Sequence, residues 1–231
     1  MNDGRTAYAV ITGAGGGLGG AFALQAARRG WNLILIDLPG TDLGDLGRRL
    51  SRAYGADVQC FEMDITQEAA RQSLIDWVHR TLLEIGLLVN NAGIGIFRPV
   101  DQITPEEWAA TVETNLSGPF YLSREAIPHM RRRGGGYIFN ISSLAGVNPF
   151  AGGAAYNASK FGLNGFSEAM MQDVRYDGIR VSYIMPGSVA TDFGGQPGSS
   201  PKEPWKLTPA DIAKAVVDLC RYPRSSLASR I

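Results

Sequence analysis

Residues 7–19 read AYAVITGAGGGLG, and this stretch decides the fold. Its first part, Ala7–Thr12, is apolar, as in a buried strand. Five glycines follow within residues 13–19, where the strand pattern gives way to a helix pattern. Glycines allow a tight turn and close approach of a phosphate, and a helix N-terminus favours negative charge. The stretch therefore predicts a phosphate-binding strand–loop–helix unit, although a plain tight turn has the same composition.

Strand and helix patterns alternate along the rest of the chain. We predict further strands at residues 32–37, 57–61, 87–90, 137–143 and 181–185. Helices are predicted to about Arg29, to Tyr54 after a cap at Thr41 or Asp42, over residues 67–83 and 104–133 (with or without a break), after Tyr156, and from Thr208. This alternation predicts an α/β fold, a doubly wound parallel sheet (Rossmann fold), in a single domain over residues 1–231.

Composition narrows the classes of protein. The 231 residues are 45% hydrophobic and 19% charged, and Lys plus Arg equals Asp plus Glu at 22 each. This balance is ordinary for a globular protein and favours neither nucleic acid nor an anionic membrane as a partner. The polar first residues and the lack of a long apolar run predict neither a signal peptide nor a membrane span. We expect a cytoplasmic protein.

The cysteines and histidines also fit a cytosolic protein without a catalytic metal. Cys60 and Cys220 lie far apart in apolar segments, and we interpret both as buried free thiols, which fits a reducing cytosol. His79 and His129 have no Cys or His at ligand spacing, so we interpret them as surface or structural residues. No catalytic metal is expected.

Three side chains carry the predicted chemistry. Tyr156 and Lys160 are four residues apart on a predicted helix, and Ser143 lies thirteen residues before the tyrosine. A phenol is a weak acid with a pKa of about 10. At roughly 4 Å and an effective dielectric near 20, a lysine would stabilise the phenolate by about 4 kcal/mol, which would lower the tyrosine pKa by about three. The spacing alone is also that of a surface pair.

Asp37 bears on the cofactor. It ends the second predicted strand, 18 residues after Gly19. A carboxylate there accepts hydrogen bonds from both ribose hydroxyls of an adenosine and repels a 2′-phosphate. Leu38 follows it, and the glycine loop contains no Arg or Lys, which favours NAD(H) and leaves NADP(H) as the alternative. Enzymes that use S-adenosylmethionine share the loop and the acid, so these two features do not separate the cofactors.

Taken together, the motifs resemble the classical short-chain dehydrogenase/reductase (SDR) family over nearly the whole chain. The resemblance implies a catalytic tetrad of Asn115, Ser143, Tyr156 and Lys160. It implies cofactor-binding residues at Gly13, Gly16, Gly17, Leu18, Gly19, Asp37, Asp64, Ile65, Asn90, Asn91, Ala92, Gly93, Tyr156, Lys160, Pro186, Gly187, Val189 and Thr191. Their order along the chain excludes the methyl-transfer alternative.

The resemblance also implies a mechanism. Tyr156 would exchange a proton with the substrate oxygen, and Ser143 would donate a hydrogen bond to that oxygen. Lys160 would lower the tyrosine pKa and bind the nicotinamide ribose. Asn115 would kink its helix and help to hold a water that links Lys160 to solvent. Ser142 is the neighbouring candidate, but the thirteen-residue spacing favours Ser143.

Two departures from the family pattern stand out. Gly86 occupies a position where the family often has an aspartate, which puts a local structural contact in doubt. The usual last strand only begins within residues 227–231. The resemblance implies a homodimer or homotetramer that packs through the helix after Lys160 and the helix before Arg131.

The predicted substrate pocket is mainly apolar. Its expected lining comprises Ile94, Ile96, Ala145, Val147, Phe150, Phe193 and Trp205. A lid is expected at about residues 188–207, around a Gly-, Ser- and Pro-rich stretch. An NAD(P)(H)-dependent oxidoreductase that interconverts an apolar ketone and a secondary alcohol is the favoured function. The alternatives are a 3-oxoacyl-carrier-protein reductase and a non-catalytic dinucleotide-binding sensor.

Overall fold

Six parallel strands form one sheet in the computed structural model, which describes residues 7–81, 83–191, 193, 205–223 and 226–231. The strands are β1 (Ala7–Thr12), β2 (Asn32–Asp37), β3 (Val58–Glu62), β4 (Glu84–Asn90), β5 (Gly136–Ile141) and β6 (Ile179–Ile184). Their spatial order is β3-β2-β1-β4-β5-β6. The order reverses between β1 and β4, and ligands of such sheets bind beyond the strand ends at this point.

Helices cover both faces of the sheet. They are α1 (Gly17–Arg28), α2 (Leu43–Tyr54), α3 (Glu68–Thr81), α4 (Pro105–Val112), α5 (Gly118–Arg132), α6 (Ala154–Val174) and α7 (Pro209–Asp218). Buried residues of α1, α2 and α7 form one apolar cluster with the sheet. Buried residues of α3, α5 and α6 form a second cluster on the other face. The doubly wound α/β fold expected from the sequence is confirmed.

Local chemistry explains where the helices begin. The Asp42 carboxylate accepts a hydrogen bond from the Asp45 amide at 3.1 Å and caps α2. Thr104 and Glu107 form a capping box at the start of α4, with a proline in the first turn. Thr208 caps α7 in a similar way. A side-chain cap satisfies amide groups that have no partner within the helix. Asp42, and not Thr41, is therefore the cap of α2.

The segment around Asn115 departs from a regular helix. Between α4 and α5, residues Glu113–Ser117 form a π-helical turn. The break allowed for in the predicted helix over residues 104–133 is thus a local widening of the helix. Wider turns of this kind often occur at functional sites.

Two other boundaries differ from the predictions. β5 ends at Ile141, so Ser143 lies two residues beyond the strand and not at its last residue. At the far edge of the sheet, the amides of Tyr183 and Met185 donate to the carbonyls of Ser229 and Ile231. The last described residues therefore begin a further parallel pairing with β6, as expected. Of the expected lid, residues 192 and 194–204 lie outside the described residues.

Neither cysteine is fully buried, and Gly86 lies against two large side chains. Cys60 and Cys220 are free, but Cys60 is exposed and Cys220 is only half-buried, so their expected burial is wrong. Cys60 lies on β3, the edge strand of the sheet, which explains its exposure. A Cβ atom at Gly86 would lie 2.6 Å from Arg133 Nη1 and 2.8 Å from a Trp31 ring atom. These two side chains occupy the space that a side chain at this position would need.

His79 and His129 stack on each other, with ring centroids 5.0 Å apart. Burial and the nearby Arg132 charge lower the pKa of His129 to about 4. Among the described residues, no three His, Cys, Asp or Glu side chains lie close enough to hold a metal ion. In the same part of the chain, no helix is both long and apolar enough to cross a membrane.

Candidate active site

The glycine loop after β1 folds tightly against the start of α1. Gly13 has a φ of 64°, which residues with a side chain rarely adopt. A Cβ atom at Gly19 would lie 1.9 Å from the Gly13 carbonyl oxygen, so no side chain fits there. The loop backbone is thus held close to the first helical turn.

Thr12 and Asn91 join the glycine loop to the end of β4. Thr12 Oγ1 accepts hydrogen bonds from the amides of Asn91, at 3.0 Å, and Ala92, at 2.9 Å. The Asn91 side chain donates in return to the carbonyls of Thr12, at 2.9 Å, and Gly13, at 3.2 Å. These four bonds fix the two strand ends on either side of the point where the sheet order reverses.

The start of α1 fits a phosphate group. Its N-cap, Gly16, makes no side-chain capping bond, and residues 15–17 are exposed. The first amide groups of a helix have no partner within it, so an uncapped glycine-rich start offers donors and a positive dipole end to an anion. The Thr191 side chain lies beside Gly17, since a Cβ atom there would be 3.3 Å from Thr191 Cγ2. This contact brings the loop after β6, which includes Pro186, Gly187 and Val189, to the same cleft.

Asp37 closes the cleft at the end of β2. Its carboxylate accepts hydrogen bonds from the amides of Gly15, at 2.8 Å, and Leu38, at 2.7 Å. Both bonds hold the carboxylate against the glycine loop. The charge therefore lies beside the glycine loop at the carboxyl end of β2.

Asp64 and Ile65 lie after β3 and differ in their surroundings. Asp64 is half-buried and accepts hydrogen bonds from the amide and hydroxyl of Thr66, both at 2.8 Å. Ile65 is buried, and its side chain packs against Gly118, where a Cβ atom would lie 2.8 Å from Ile65 Cδ1. The Ile65 side chain thus belongs to the core, which leaves its backbone as the group that can face a cofactor.

Asn90 is also turned into the interior. Its side-chain amide donates to Ser123 Oγ at 3.1 Å and to Asn140 Oδ1 at 2.8 Å, inside the protein. The residue thus ties β4 to α5 and β5. The Asn90 side chain thus makes structural contacts, and the prediction that this residue binds the cofactor concerns its backbone.

Asn115 is fully buried in the π-helical turn and links it to two other segments. Its side chain accepts a hydrogen bond from the Ile94 amide at 2.8 Å and donates to the Ile94 carbonyl at 2.9 Å. It also donates to Ser159 Oγ on α6 at 3.1 Å. A Cβ atom at Gly93 would lie 3.1 Å from Asn115 Oδ1 and 3.7 Å from Lys160 Nζ. Asn115, Gly93 and Lys160 are therefore in close proximity.

Lys160 is buried, and its ammonium donates a hydrogen bond to the Ile141 carbonyl at 2.8 Å. Burial disfavours a charge and lowers the pKa of Lys160 to about 8. Lys160 Nζ lies 5.6 Å from the centre of the Tyr156 ring. The lysine is thus adjacent to the tyrosine, with its strongest contact made to the backbone at the end of β5.

Tyr156 lies in the first turn of α6 and is 9% exposed. Burial raises the pKa of Tyr156, while a hydrogen bond with Ser143 opposes the rise. The expectation that Lys160 holds the pKa of this tyrosine below its ordinary value is therefore wrong for this structure. Burial disfavours the charged phenolate, and this effect is larger than the opposing effect of the Ser143 hydrogen bond.

The two neighbouring serines have different partners. Ser143 is paired with Tyr156, and its Oγ also accepts a hydrogen bond from the Ala145 amide at 3.1 Å. Ser142 points into the protein and donates to Asn164 Oδ1 at 2.6 Å. The structure therefore supports the choice of Ser143 over Ser142 that the thirteen-residue spacing suggested.

Phenylalanine rings lie next to the ring of Tyr156, the candidate catalytic residue. The Phe97 and Phe193 ring centroids lie 5.6 Å and 5.8 Å from that of Tyr156, and Phe150 lies 5.7 Å from Phe97. Sequence reasoning missed Phe97, although it lies only four residues after Gly93. Ala145, an expected lining residue, is buried. Trp205 is two-thirds exposed, and Lys206 Nζ lies 5.7 Å from the centre of its ring.

Comparison with known proteins decides the family. A family model described as short chain dehydrogenase matches residues 7–200. The chain belongs to the short-chain dehydrogenase/reductase family. It is thus an oxidoreductase that acts on CH–OH and C=O groups with a nicotinamide dinucleotide, as expected from the sequence.

Named SDR relatives cover most of the chain. It is 32% identical over 229 residues to a sepiapterin reductase of Chlorobaculum tepidum. The alignment spans 96% of this chain and 93% of that protein. It is 35% identical over 186 residues to the 3-oxoacyl-[acyl-carrier-protein] reductase FabG of Escherichia coli, covering 80% of this chain and 74% of that one.

A solved SDR structure also matches the fold. A metagenomic short-chain oxidoreductase in complex with NADP superposes with a TM-score of 0.86 at 34% identity. The match covers 98% of this chain and 96% of that one. Nicotinamide dinucleotide binding is therefore a property of a close structural relative, and the uncapped glycine loop of this SDR fits the same kind of ligand.

Proposed function

We propose that this enzyme interconverts a ketone and a secondary alcohol, with Tyr156 as the group that exchanges a proton with the substrate oxygen. One observation carries the proposal. The Tyr156 hydroxyl is paired with Ser143 beside the buried Lys160, at the end of the sheet where the uncapped glycine loop lies. A protonatable oxygen, a second hydroxyl and a dinucleotide cleft are the groups that carbonyl reduction needs.

Each residue has a role that follows from its surroundings. Because burial raises the pKa of Tyr156, its hydroxyl is protonated at neutral pH and can give a proton to a carbonyl oxygen. Ser143 donates a hydrogen bond to the same oxygen, where negative charge develops. Lys160, with a pKa of about 8, is mostly protonated at neutral pH and offers N–H donors for ribose hydroxyls. A bound nicotinamide dinucleotide supplies or accepts the hydride.

Asn115 is proposed to position the site. Its three hydrogen bonds join the π-helical turn to Ile94 and to Ser159 on α6, one residue before Lys160. The resemblance also suggests that it holds a water linked to Lys160.

NAD(H) is the favoured cofactor in this proposal. Asp37 is held at the glycine loop by two backbone amides, and its negative charge opposes a 2′-phosphate. The metagenomic relative was solved with NADP, so NADP(H) is the alternative that a binding measurement has to separate.

The test is turnover by the wild type and by Tyr156→Phe. Oxidation of NADH and NADPH is followed with a panel of ketones, diketones and acetoacetyl-CoA, and the reverse reaction with the matching alcohols. Loss of the hydroxyl should lower kcat by about 10²-fold or more, while dinucleotide binding persists. Tyr176→Phe, at an exposed tyrosine on the protein surface, is the control and should match the wild type. Equal, measurable rates for wild type and Tyr156→Phe would contradict the role of Tyr156, whereas dinucleotide binding without any turnover by the wild type would favour a non-catalytic sensor.

A second candidate is reduction of 3-oxoacyl groups on a carrier protein. The 35% identity to the FabG protein of Escherichia coli favours it. In that case acetoacetyl-CoA, which carries the same phosphopantetheine arm, would be reduced with a higher kcat/KM than any simple ketone in the panel.

A homodimer or homotetramer is also proposed, in a cytoplasmic setting. Phe120 on α5 and Phe161 on α6 are each more than 40% exposed. The ring centroid of Phe120 lies 6.1 Å from that of Phe166 on α6. Large apolar side chains on neighbouring helix faces are typical of subunit interfaces. Light scattering coupled to gel filtration should show an oligomer that Phe120→Glu with Phe161→Glu dissociates. A monomeric wild type would contradict the proposal.

A further inference from the structure

Three phenylalanine rings form an apolar wall that borders the Tyr156 ring. Phe97 meets the Tyr156 ring edge to face, with an interplanar angle of 77°, and Phe193 meets it at 52°. Phe150 extends the wall, with its ring centroid 5.7 Å from that of Phe97. The rings come from three separate segments, after β4, before α6 and after β6, so the fold and not local sequence brings them together.

Glycines make room for this wall. A Cβ atom at Gly95 would lie 2.7 Å from Phe97 Cζ and 2.9 Å from Phe193 Cε1, so both rings lie against the bare backbone there. A Cβ atom at Gly153 would lie 2.6 Å from a Phe150 ring atom. A side chain at either glycine would clash with these rings, so Gly95 and Gly153 are needed for the observed ring positions.

A hydrogen bond and a backbone pairing hold the wall in position. Asn157, the residue after Tyr156, donates from its side chain to the Phe150 carbonyl at 3.1 Å. Arg98 pairs through its backbone with Gly153, and its guanidinium donates to Glu107 at 2.8 Å. The positive charge of Arg98, next to Phe97, is therefore paired with the Glu107 carboxylate on α4.

The wall is apolar and accessible. Phe97, Phe150 and Phe193 are 42%, 45% and 42% exposed. Exposed rings gathered around the Tyr156 ring form an apolar patch of the kind that lines ligand-binding sites. Phenylalanine rings offer no hydrogen-bond donor to sugar hydroxyls or phosphates, and they favour edge-to-face or offset contacts with another ring.

We infer that Phe97 is a specificity-determining residue and that the preferred substrate carries a flat aromatic or conjugated ring directly on the carbonyl or carbinol carbon. The inference rests on the proposed function, because Tyr156 fixes where the reacting oxygen lies. With the oxygen at Tyr156, the carbon substituents of the substrate lie close to Phe97, whose ring meets the Tyr156 ring edge to face. A planar ring there gains contacts with Phe97 that a saturated ring of the same size makes less well.

The test compares ketones of equal carbon number. Methyl phenyl ketone, methyl cyclohexyl ketone and 2-octanone each have eight carbons, and acetoacetyl-CoA represents acyl thioesters. We expect the wild type to show a kcat/KM for the phenyl ketone about tenfold above that for the cyclohexyl ketone. Phe97→Leu keeps an apolar side chain but removes the ring, and it should reduce that ratio to near one, with little change for 2-octanone. Tyr54→Leu, at a half-exposed ring on α2, is the matched control.

The outcomes separate this inference from the proposed function. If the wild type turns over no carbonyl compound with either cofactor, the proposed function fails, and the inference fails with it. If the wild type prefers the cyclohexyl ketone, 2-octanone or the thioester, the inference is overturned and the proposed function stands. The same holds if Phe97→Leu lowers kcat/KM for all substrates by one common factor, since that would show a role in placing Tyr156. Thermal unfolding and dinucleotide binding of each variant verify that it is folded.

Discussion

Lys160 Nζ and the Ile141 carbonyl oxygen are joined by a hydrogen bond of 2.8 Å inside the protein. A lysine that is buried with a neutral acceptor, and whose pKa is lowered to about 8, destabilises the fold at neutral pH. The unfolded chain keeps the lysine proton up to the ordinary pKa of 10.5. Between these two values the unfolded state binds more protons, so the free energy of unfolding rises with pH.

Replacement of Lys160 by Met should remove this pH dependence. The wild type should gain up to about 3 kcal/mol of stability relative to Lys160→Met as the pH rises from 8 to 10.5, and nothing below pH 8. Urea unfolding of both proteins across this range measures the difference. Lys214→Met, at an exposed lysine on α7, is the control and should run parallel to the wild type. A constant difference between wild type and Lys160→Met would show that the lysine is not neutralised by burial.

Replacement of Ser143 should lower the activity, whereas replacement of Ser142 should lower the stability of the fold. Loss of the Ser143 hydroxyl should lower kcat by about 10²-fold, because a donor to the developing oxyanion is removed. Loss of the Ser142 hydroxyl leaves the Asn164 amide oxygen without its donor and should cost about 1–2 kcal/mol of stability, with activity within a few-fold of the wild type. Ser143→Ala and Ser142→Ala are compared by steady-state kinetics and urea unfolding. The reverse pattern would assign the catalytic role to Ser142.

Thr12→Val should loosen the floor of the dinucleotide cleft. The valine has the same shape but leaves the amides of Asn91 and Ala92 without their shared acceptor. We expect a loss of about 3 kcal/mol in the free energy of unfolding and weaker NADH binding, measured by urea titration and nucleotide fluorescence. Thr12→Ser keeps the oxygen and should restore most of both. Full NADH affinity in Thr12→Val would show that the loop does not depend on these bonds.

Asp37→Ser should shift cofactor preference toward NADPH. Removal of the carboxylate removes its repulsion of the 2′-phosphate, so the ratio of NADPH to NADH dissociation constants should fall at least about tenfold. Titration calorimetry measures both constants for wild type and variant. Asp76→Ser, at an exposed carboxylate on α3, should leave the ratio unchanged. Tighter binding of NADPH than of NADH by the wild type would contradict the preference that Asp37 suggests.

The order of elements was predictable from the sequence, and so was the proximity of several candidate site residues. β1 and β2 have the predicted bounds because both are short, apolar and followed by residues that end a strand. The predicted quartet of Asn115, Ser143, Tyr156 and Lys160 meets at the carboxyl end of the sheet. Parallel strands place the residues that follow them at one edge, so motif order alone was sufficient for this part.

Properties that depend on the three-dimensional surroundings of a residue could not be predicted from the sequence. Asn90 lies in the same motif as Asn91, but alternation along β4 turns the one side chain inward and leaves the other at the loop. The pKa of Tyr156 depends on how deeply it is buried, which helical spacing does not reveal. Phe97 was missed because its role arises from contact with rings distant in sequence, whereas its own neighbours signal only a loop.

The π-helical turn at Glu113–Ser117 has a consequence for the engineering of this enzyme. A π turn holds one residue more than an α turn, so a deletion within it would restore the commoner geometry. Because the turn accommodates its extra residue locally, α4 and α5 would keep their relative orientation after such a deletion, but the residues of the turn itself would change position. Asn115 would then lose its alignment with Ile94 and Ser159, so a shortened helix with better local geometry would come with a disassembled active site. A stabilisation screen that scores only the free energy of unfolding would select against the function at this point of the chain.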